Sequence, residues 1–241
     1  MSSDLYASPE PQRLAFIALT QNRRFASRAP ATVAIKPPGG VLGPYAAAPL
    51  HRDGLPTDRG VYVVQPVLAK AGVYSATIKT AGQTIELPFQ VQPKPHGPAV
   101  GSIAPAAASP TTTKPLGVKP LCTRKPMCPL HSRSLDEVIG KGRPVAVMFA
   151  TPALCQSAYC GPVLDTLLPI VTRLQDRIDF VHVEIYRDMT GTNVSPTVTA
   201  WNLSSEPWLF AVDPTGKIVS RLDGAFASDE IETVLRQLTP A

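Results

Sequence analysis

Two cysteines, Cys155 and Cys160, stand with four residues between them in Val145-Ala-Val-Met-Phe-Ala-Thr-Pro-Ala-Leu-Cys-Gln-Ser-Ala-Tyr-Cys-Gly-Pro-Val-Leu-Asp165. A hydrophobic run leads into the pair, and Gly161-Pro162 and a helical pattern follow it. A cysteine at a helix N-terminus is stabilised as the thiolate by free backbone N–H groups and the helix dipole. This pattern predicts a reversible dithiol, with Cys160 as the attacking thiolate and Cys155 as its resolving partner. The competing reading is a fixed disulfide that pins the loop.

A second pair, Cys122 and Cys128, is followed by His131. Cys122, Cys128 and His131 are three soft or borderline candidate metal ligands. The same residues also read as a small disulfide loop tying down the arm before the domain, or as a second dithiol passing electrons to the first. The sequence offers no evident fourth ligand. His182 lies mid-strand in Phe180-Val-His-Val-Glu-Ile185 and reads as a core or sheet-face histidine. Glu184 and Asp188 read as a solvated loop edge, Trp201 and Trp208 as core, and His51 and His96 as surface residues. Four cysteines in two close pairs suit local disulfides, 122–128 and 155–160, and hence an oxidising compartment.

The elements that must position these residues fall into two domains. The chain has 241 residues, enough for one large domain or two ordinary ones. Residues 93–118 are dominated by Pro, Ala, Ser and Thr and read as a semi-extended linker. Residues 1–92 carry short apolar runs at 13–20, 31–36, 60–64, 72–79 and 84–91, separated by turn residues, which predicts an all-β sandwich. Tyr74, in Gly72-Val-Tyr, resembles the corner tyrosine of immunoglobulin-like modules. In residues 119–241, Ser134-Leu-Asp-Glu137 forms a capping box, and Cys160–Arg177 carries leucines and valine at helical spacing around Pro169. Strands are expected at 145–150, 178–185, 208–212 and 218–222, with helices starting at Ser134, Cys160, Ser195 and Ser228.

Charge and hydropathy exclude several classes. The net charge of +5 resides in the N-terminal half, where residues 1–118 hold 11 Lys and Arg against 5 Asp and Glu. Those cations (Arg23, Arg24, Arg28, Lys36, Arg52 and Arg59 among them) are scattered, without interleaved aromatics, so they read as a solvated surface and not as a nucleic-acid site. No apolar run is long enough to cross a bilayer. The start Met1-Ser-Ser-Asp lacks a basic and apolar leader and reads as a chain whose targeting segment or N-terminal anchor has been removed.

The element order of residues 119–241 resembles the thioredoxin fold. Cys160-Gly161-Pro162 looks like the start of thioredoxin's Cys-Gly-Pro-Cys, Pro169 like its kink proline, and Gly224 like the glycine closing its last strand. Glu206-Pro207-Trp208 is similar to the segment carrying that family's cis-proline, which faces the cysteines. The resemblance implies a site of Cys160, Cys155 and Pro207, supported by Glu206, Tyr159, Gly161 and Pro162. Departures accompany it: Val163 stands where the second cysteine would fall, Tyr159 replaces the usual Trp, and Val147, Met148 and Phe149 occupy the region of the buried acid. Glu206 would oppose a thiolate unless it turns to solvent. Overall the segment looks like a bacterial branch of thioredoxin-like proteins with Cys-x4-Cys-Gly-Pro.

These readings predict an extracytoplasmic protein that exchanges thiols and disulfides through Cys155 and Cys160. Its partners would be protein disulfides or an envelope protein, and the removed anchor would place it at a membrane surface. The chemistry needs no cofactor. One alternative is copper handling, as in the Sco-type chaperones whose Cys-x-x-x-Cys loop the pair resembles. The other is a non-catalytic envelope binding protein held by structural disulfides.

Overall fold

The computed structural model describes residues 2–19 and 29–239. Arg23, Arg24 and Arg28 of the basic excess lie outside the described residues, as do Met1 and Thr20, the last residue of the first expected strand. The chain divides into two compact units, Met1–Pro95 and His96–Ala241.

The first unit is all-β. Its strands are β1 (Leu14–Phe16), β2 (Ala31–Lys36), β3 (Ala46–Ala48), β4 (Leu50–His51), β5 (Val61–Val64), β6 (Gly72–Thr80) and β7 (Gln83–Val91). They form two sheets, ordered β1-β5-β4 and β3-β2-β6-β7. β6 shows why: Tyr74, Ala76, Ile78 and Thr80 alternate inward, the period of a half-buried strand. Phe16 and Tyr62 from one sheet meet Val33, Tyr74 and Ile78 from the other in one core. The Tyr74 hydroxyl donates to the Lys70 carbonyl at 3.0 Å. The sequence pattern misses β3, three alanines, and β4, two residues, because both are too short to show a period.

The second unit contains α1 (Leu135–Val138), β8 (Val145–Ala150), α2 (Cys160–Leu174), β9 (Asp179–Glu184), α3 (Pro196–Ala200), β10 (Trp208–Val212), β11 (Ile218–Asp223) and α4 (Ser228–Arg236). This is the expected order. The sheet runs β11-β10-β8-β9, with β8 parallel to β9 and antiparallel to β10. All six residues of β8 are buried, as a strand covered on both faces requires. α2 is the crossover between the parallel strands and buries Val163, Leu164, Leu167, Ile170 and Val171. Pro169 is exposed, and the helix continues past it to Leu174.

The expected linker at 93–118 needs correction, because the boundary between the units falls after Pro95 and residues 96–118 belong to the second unit. Gly101 and Ala104 donate backbone N–H bonds to Ile218 and Gly216, both at 2.8 Å, along the outer edge of β11. Ala104 enters the core, and Ser109 exchanges hydrogen bonds with Ser134 (2.7 Å) and the Leu135 amide (3.0 Å) at the start of α1. The segment is a strap held by main-chain bonds. Its alanines and serines allow close backbone approach but carry too little apolar surface to announce burial.

The strap predicts a stability difference between two truncations. Residues 96–241 are expected to fold cooperatively alone, whereas a chain starting at residue 119 loses about 2 kcal/mol or more through vacated core volume and orphaned edge groups. Urea unfolding followed by Trp201 and Trp208 fluorescence measures it, and equal midpoints would reduce the strap to a linker.

Candidate active site

β8 ends at Ala150, and a nine-residue loop carries the chain to Cys160, the first residue of α2. Two turns shape that loop, closed by Leu154 N–H to Thr151 O and Ala158 N–H to Cys155 O, each 3.2 Å. They bring the Cys155 sulfur back over the helix end, where it accepts the Cys160 N–H at 3.2 Å and lies 3.2 Å from the Ser157 hydroxyl. Cys155 is half-buried, whereas Cys160 is wholly buried.

This geometry puts the lowered pKa on Cys155 and not on Cys160, where it was expected. The hydrogen bond from the Cys160 thiol, with help from Ser157 and the Cys160 and Tyr159 amides, outweighs burial and lowers the Cys155 pKa to about 5. Burial, then the hydrogen bond to Cys155, push the Cys160 thiol far above the usual range. The reason is directional: N–H groups in the first turn point out of the helix end, toward the residue that loops back over it. The side chain at the first helical position points into the core instead.

The remaining expected residues gather unevenly. Glu206–Pro207 is a cis peptide leading into β10, and Pro207 is buried. Glu206 faces the loop, contrary to its expected turn to solvent, with Oε1 3.4 Å from the Gln156 amide. Burial, and then the Cys155 charge, hold its carboxyl above the ordinary range. Tyr159 is the buried residue before α2. Pro162 sits in the first turn, where its missing N–H costs no helical bond. Gly161 leaves ordinary contact room, with Pro152 Cβ 3.9 Å from where a Cβ would stand. Tyr186, just past β9, is a neighbour the sequence reading missed: burial, followed by the charges of Glu206, Cys160 and Cys155, raises its phenol pKa. Its place two residues beyond a strand end carries no motif.

The second cysteine pair is part of a larger cluster. Cys122, Cys128, His131 and His182 are all buried, and one donor atom from each lies within 4.8 Å of every other. His182 is therefore more than the core histidine expected of it: β9 aims its Nδ1 at both sulfurs, 3.7 Å from Cys122 and 3.3 Å from Cys128. All four cysteines are free, and the Cys122 and Cys128 sulfurs lie 3.9 Å apart, so neither expected disulfide is formed. A hydrogen bond from Cys128 draws the Cys122 thiol well below the usual range.

Thr123 joins this cluster to the loop. Its amide and hydroxyl both donate to Glu184 Oε2, at 2.8 and 3.0 Å, and its hydroxyl accepts the Ala153 N–H at 3.1 Å. Glu184 is thus a buried anchor and not the solvated loop edge expected. Burial raises its carboxyl pKa, against the lowering charge of His182.

A family model supports the fold of this unit. Residues 132–239 match the family model of a thioredoxin-like domain. A solved structure of a candidate thiol:disulfide interchange protein, DsbE from Chlorobium tepidum, is 13% identical, with a TM-score of 0.40, covering 58% of this chain and 97% of that one. No curated protein matches the chain. The C-terminal unit has a thioredoxin-like fold.

Two measurements on the reduced protein check the site. Alkylation read by mass spectrometry should modify Cys155 first, with a rate that climbs through a midpoint near pH 5, the value its pKa of about 5 sets. Cys160 modified first would overturn that order. In Glu206→Gln the loss of a negative neighbour should move that midpoint lower still, and an upward shift would show that the carboxyl supports the thiolate.

Proposed function

We propose that this thioredoxin-like domain carries out thiol–disulfide exchange outside the cytoplasm, with Cys155 as the attacking thiolate and Cys160 as the resolving thiol. One observation carries the reading: the half-exposed Cys155 sulfur accepts the N–H at the start of α2, with the buried Cys160 thiol hydrogen-bonded behind it. A structural staple has no use for an exposed sulfur held as a thiolate.

The chemistry follows from the two environments. The Cys155 thiolate attacks one sulfur of a substrate disulfide, forming a mixed disulfide and expelling the other substrate sulfur as a thiolate. The Cys160 thiol then gives up its proton and attacks Cys155 Sγ. The second substrate sulfur leaves, and Cys155–Cys160 remains as the disulfide. Glu206, beside the loop at the Gln156 amide, is the carboxyl placed to take that proton. Glu206 borders the loop at the Gln156 amide, the cis residue Pro207 follows it into β10, and the substrates are protein disulfides. The reverse sequence oxidises a dithiol.

The direction is set by the thiolate. A depressed Cys155 pKa stabilises the reduced form and makes the disulfide more oxidising. The folded value of about 5 against an ordinary 9.0 means this stabilisation is fully present above pH 9 and is lost as pH falls through about 5. The reduced fold should therefore gain stability relative to the oxidised one as pH rises between those values.

The copper-handling alternative places the ion at Cys155 and Cys160. Among the described residues, the group of converging His and Cys donors forms instead at Cys122, Cys128, His131 and His182.

Exchange with a disulfide substrate tests the proposal. Cys155→Ser should abolish turnover, and Cys160→Ser should trap the mixed disulfide on Cys155. The potential of the pair should be less negative than about −270 mV, the value of a reducing thioredoxin, and one below about −300 mV would mark a structural bond and sink the reading.

A further inference from the structure

We propose that Cys122, Cys128, His131 and His182 bind one zinc ion in a closed tetrahedral site that fastens the arm at 122–131 to β9. The spacing of the donors carries it. A zinc ion with sulfur and imidazole ligands at ordinary bond lengths requires edges of about 3.8 Å between sulfurs, about 3.6 Å from sulfur to nitrogen and about 3.3 Å between nitrogens. The sulfurs lie 3.9 Å apart. The sulfur–nitrogen edges from Cys122 and Cys128 to His182 Nδ1 are 3.7 and 3.3 Å, and that from Cys128 to His131 Nε2 is 3.2 Å. The nitrogen edge, His131 Nε2 to His182 Nδ1, is 3.2 Å. Five of the six edges of one tetrahedron are thus within a few tenths of an ångström of zinc's, and the sixth lies within 4.8 Å.

Three further observations fit an ion. His182 Nε2 lies 3.1 Å from the Ala150 carbonyl, and a carbonyl can only accept. The ring therefore carries its proton on Nε2 and turns the Nδ1 lone pair into the cluster, the arrangement expected of a ligand held by an outer partner. The cluster is fully enclosed, so two thiolates balancing a divalent cation leave a site of no net charge, which burial tolerates. The donor set also selects the metal: two thiolates and two imidazoles in a tetrahedron suit zinc, and four protein ligands leave no open position for catalysis.

The ion would act on the redox loop through the arm. Thr123 follows ligand Cys122 and hydrogen-bonds both Glu184 on β9 and Ala153 before Cys155. A filled site fixes Thr123 and with it the base of the loop.

The full chain, purified reduced without added metal, should contain one zinc per chain by elemental mass spectrometry. Cobalt added to the stripped protein should give the absorption of a tetrahedral thiolate complex. Cys122 and Cys128 should resist alkylation until a chelator is added. Cys128→Ser and His182→Gln should each lose the metal. Cys155→Ser/Cys160→Ser should keep it, which separates this site from the exchange reaction and supplies a folded control. The proposal fails if reduced wild-type protein takes up neither zinc nor cobalt, or takes up only Cu(I). It also fails if His182→Gln holds zinc unchanged, or if the Cys155→Ser/Cys160→Ser variant loses it.

Discussion

Both thiol sites hang on the register of one buried strand. β8 is covered on both faces and paired on both edges, so a slip of one residue would send core side chains to the wrong face. Its pairing with β9 sets Met148 opposite His182 and Ala150 opposite Glu184. Its pairing with β10 sets Phe149 opposite Trp208, and so brings Pro207 and Glu206 up to the end of the strand from which the Cys155 loop departs. Ala150, the last residue of β8, also accepts the His182 ring. The redox loop, the carboxyl beside it and the histidine of the second cluster are therefore positioned by the same six residues.

The two pairs of cysteines use burial in opposite ways. At Cys155 and Cys160 the sulfurs are held apart in character, one half-exposed on a helix end and one sealed in the core. At Cys122 and Cys128 both sulfurs are sealed and face two imidazoles, an environment that removes them from exchange with large substrates and favours a shared cation. Thr123 and Glu184 lie between them, so the neighbouring sites share a hydrogen-bonded wall and need not move together to be mechanically linked.

Much of this was legible locally. The all-buried run at 145–150, the helical spacing after Cys160, the capping box at Ser134 and the inward alternation around Tyr74 each express a period that neighbouring residues impose. The strap was not legible, because a serine or alanine whose amide completes a sheet edge has the same composition as one that faces water. Nor was His182, since a histidine within a strand looks alike whether its ring meets leucine or two cysteines from an arm more than fifty residues earlier.

The sequence by itself determined where the strands and helices of the second unit form, and that a cysteine pair lies at the junction of β8 and α2. Those properties depend on side-chain period and on residues adjacent in the chain. Tertiary structure alone decided which sulfur accepts the amide at the start of α2, because that depends on where those amides point and on which sulfur the loop lays across them. It alone assembled Cys122, Cys128, His131 and His182, because convergence of four donors is a property of sheet register and of the arm's path, and neither is written in the spacing of the residues.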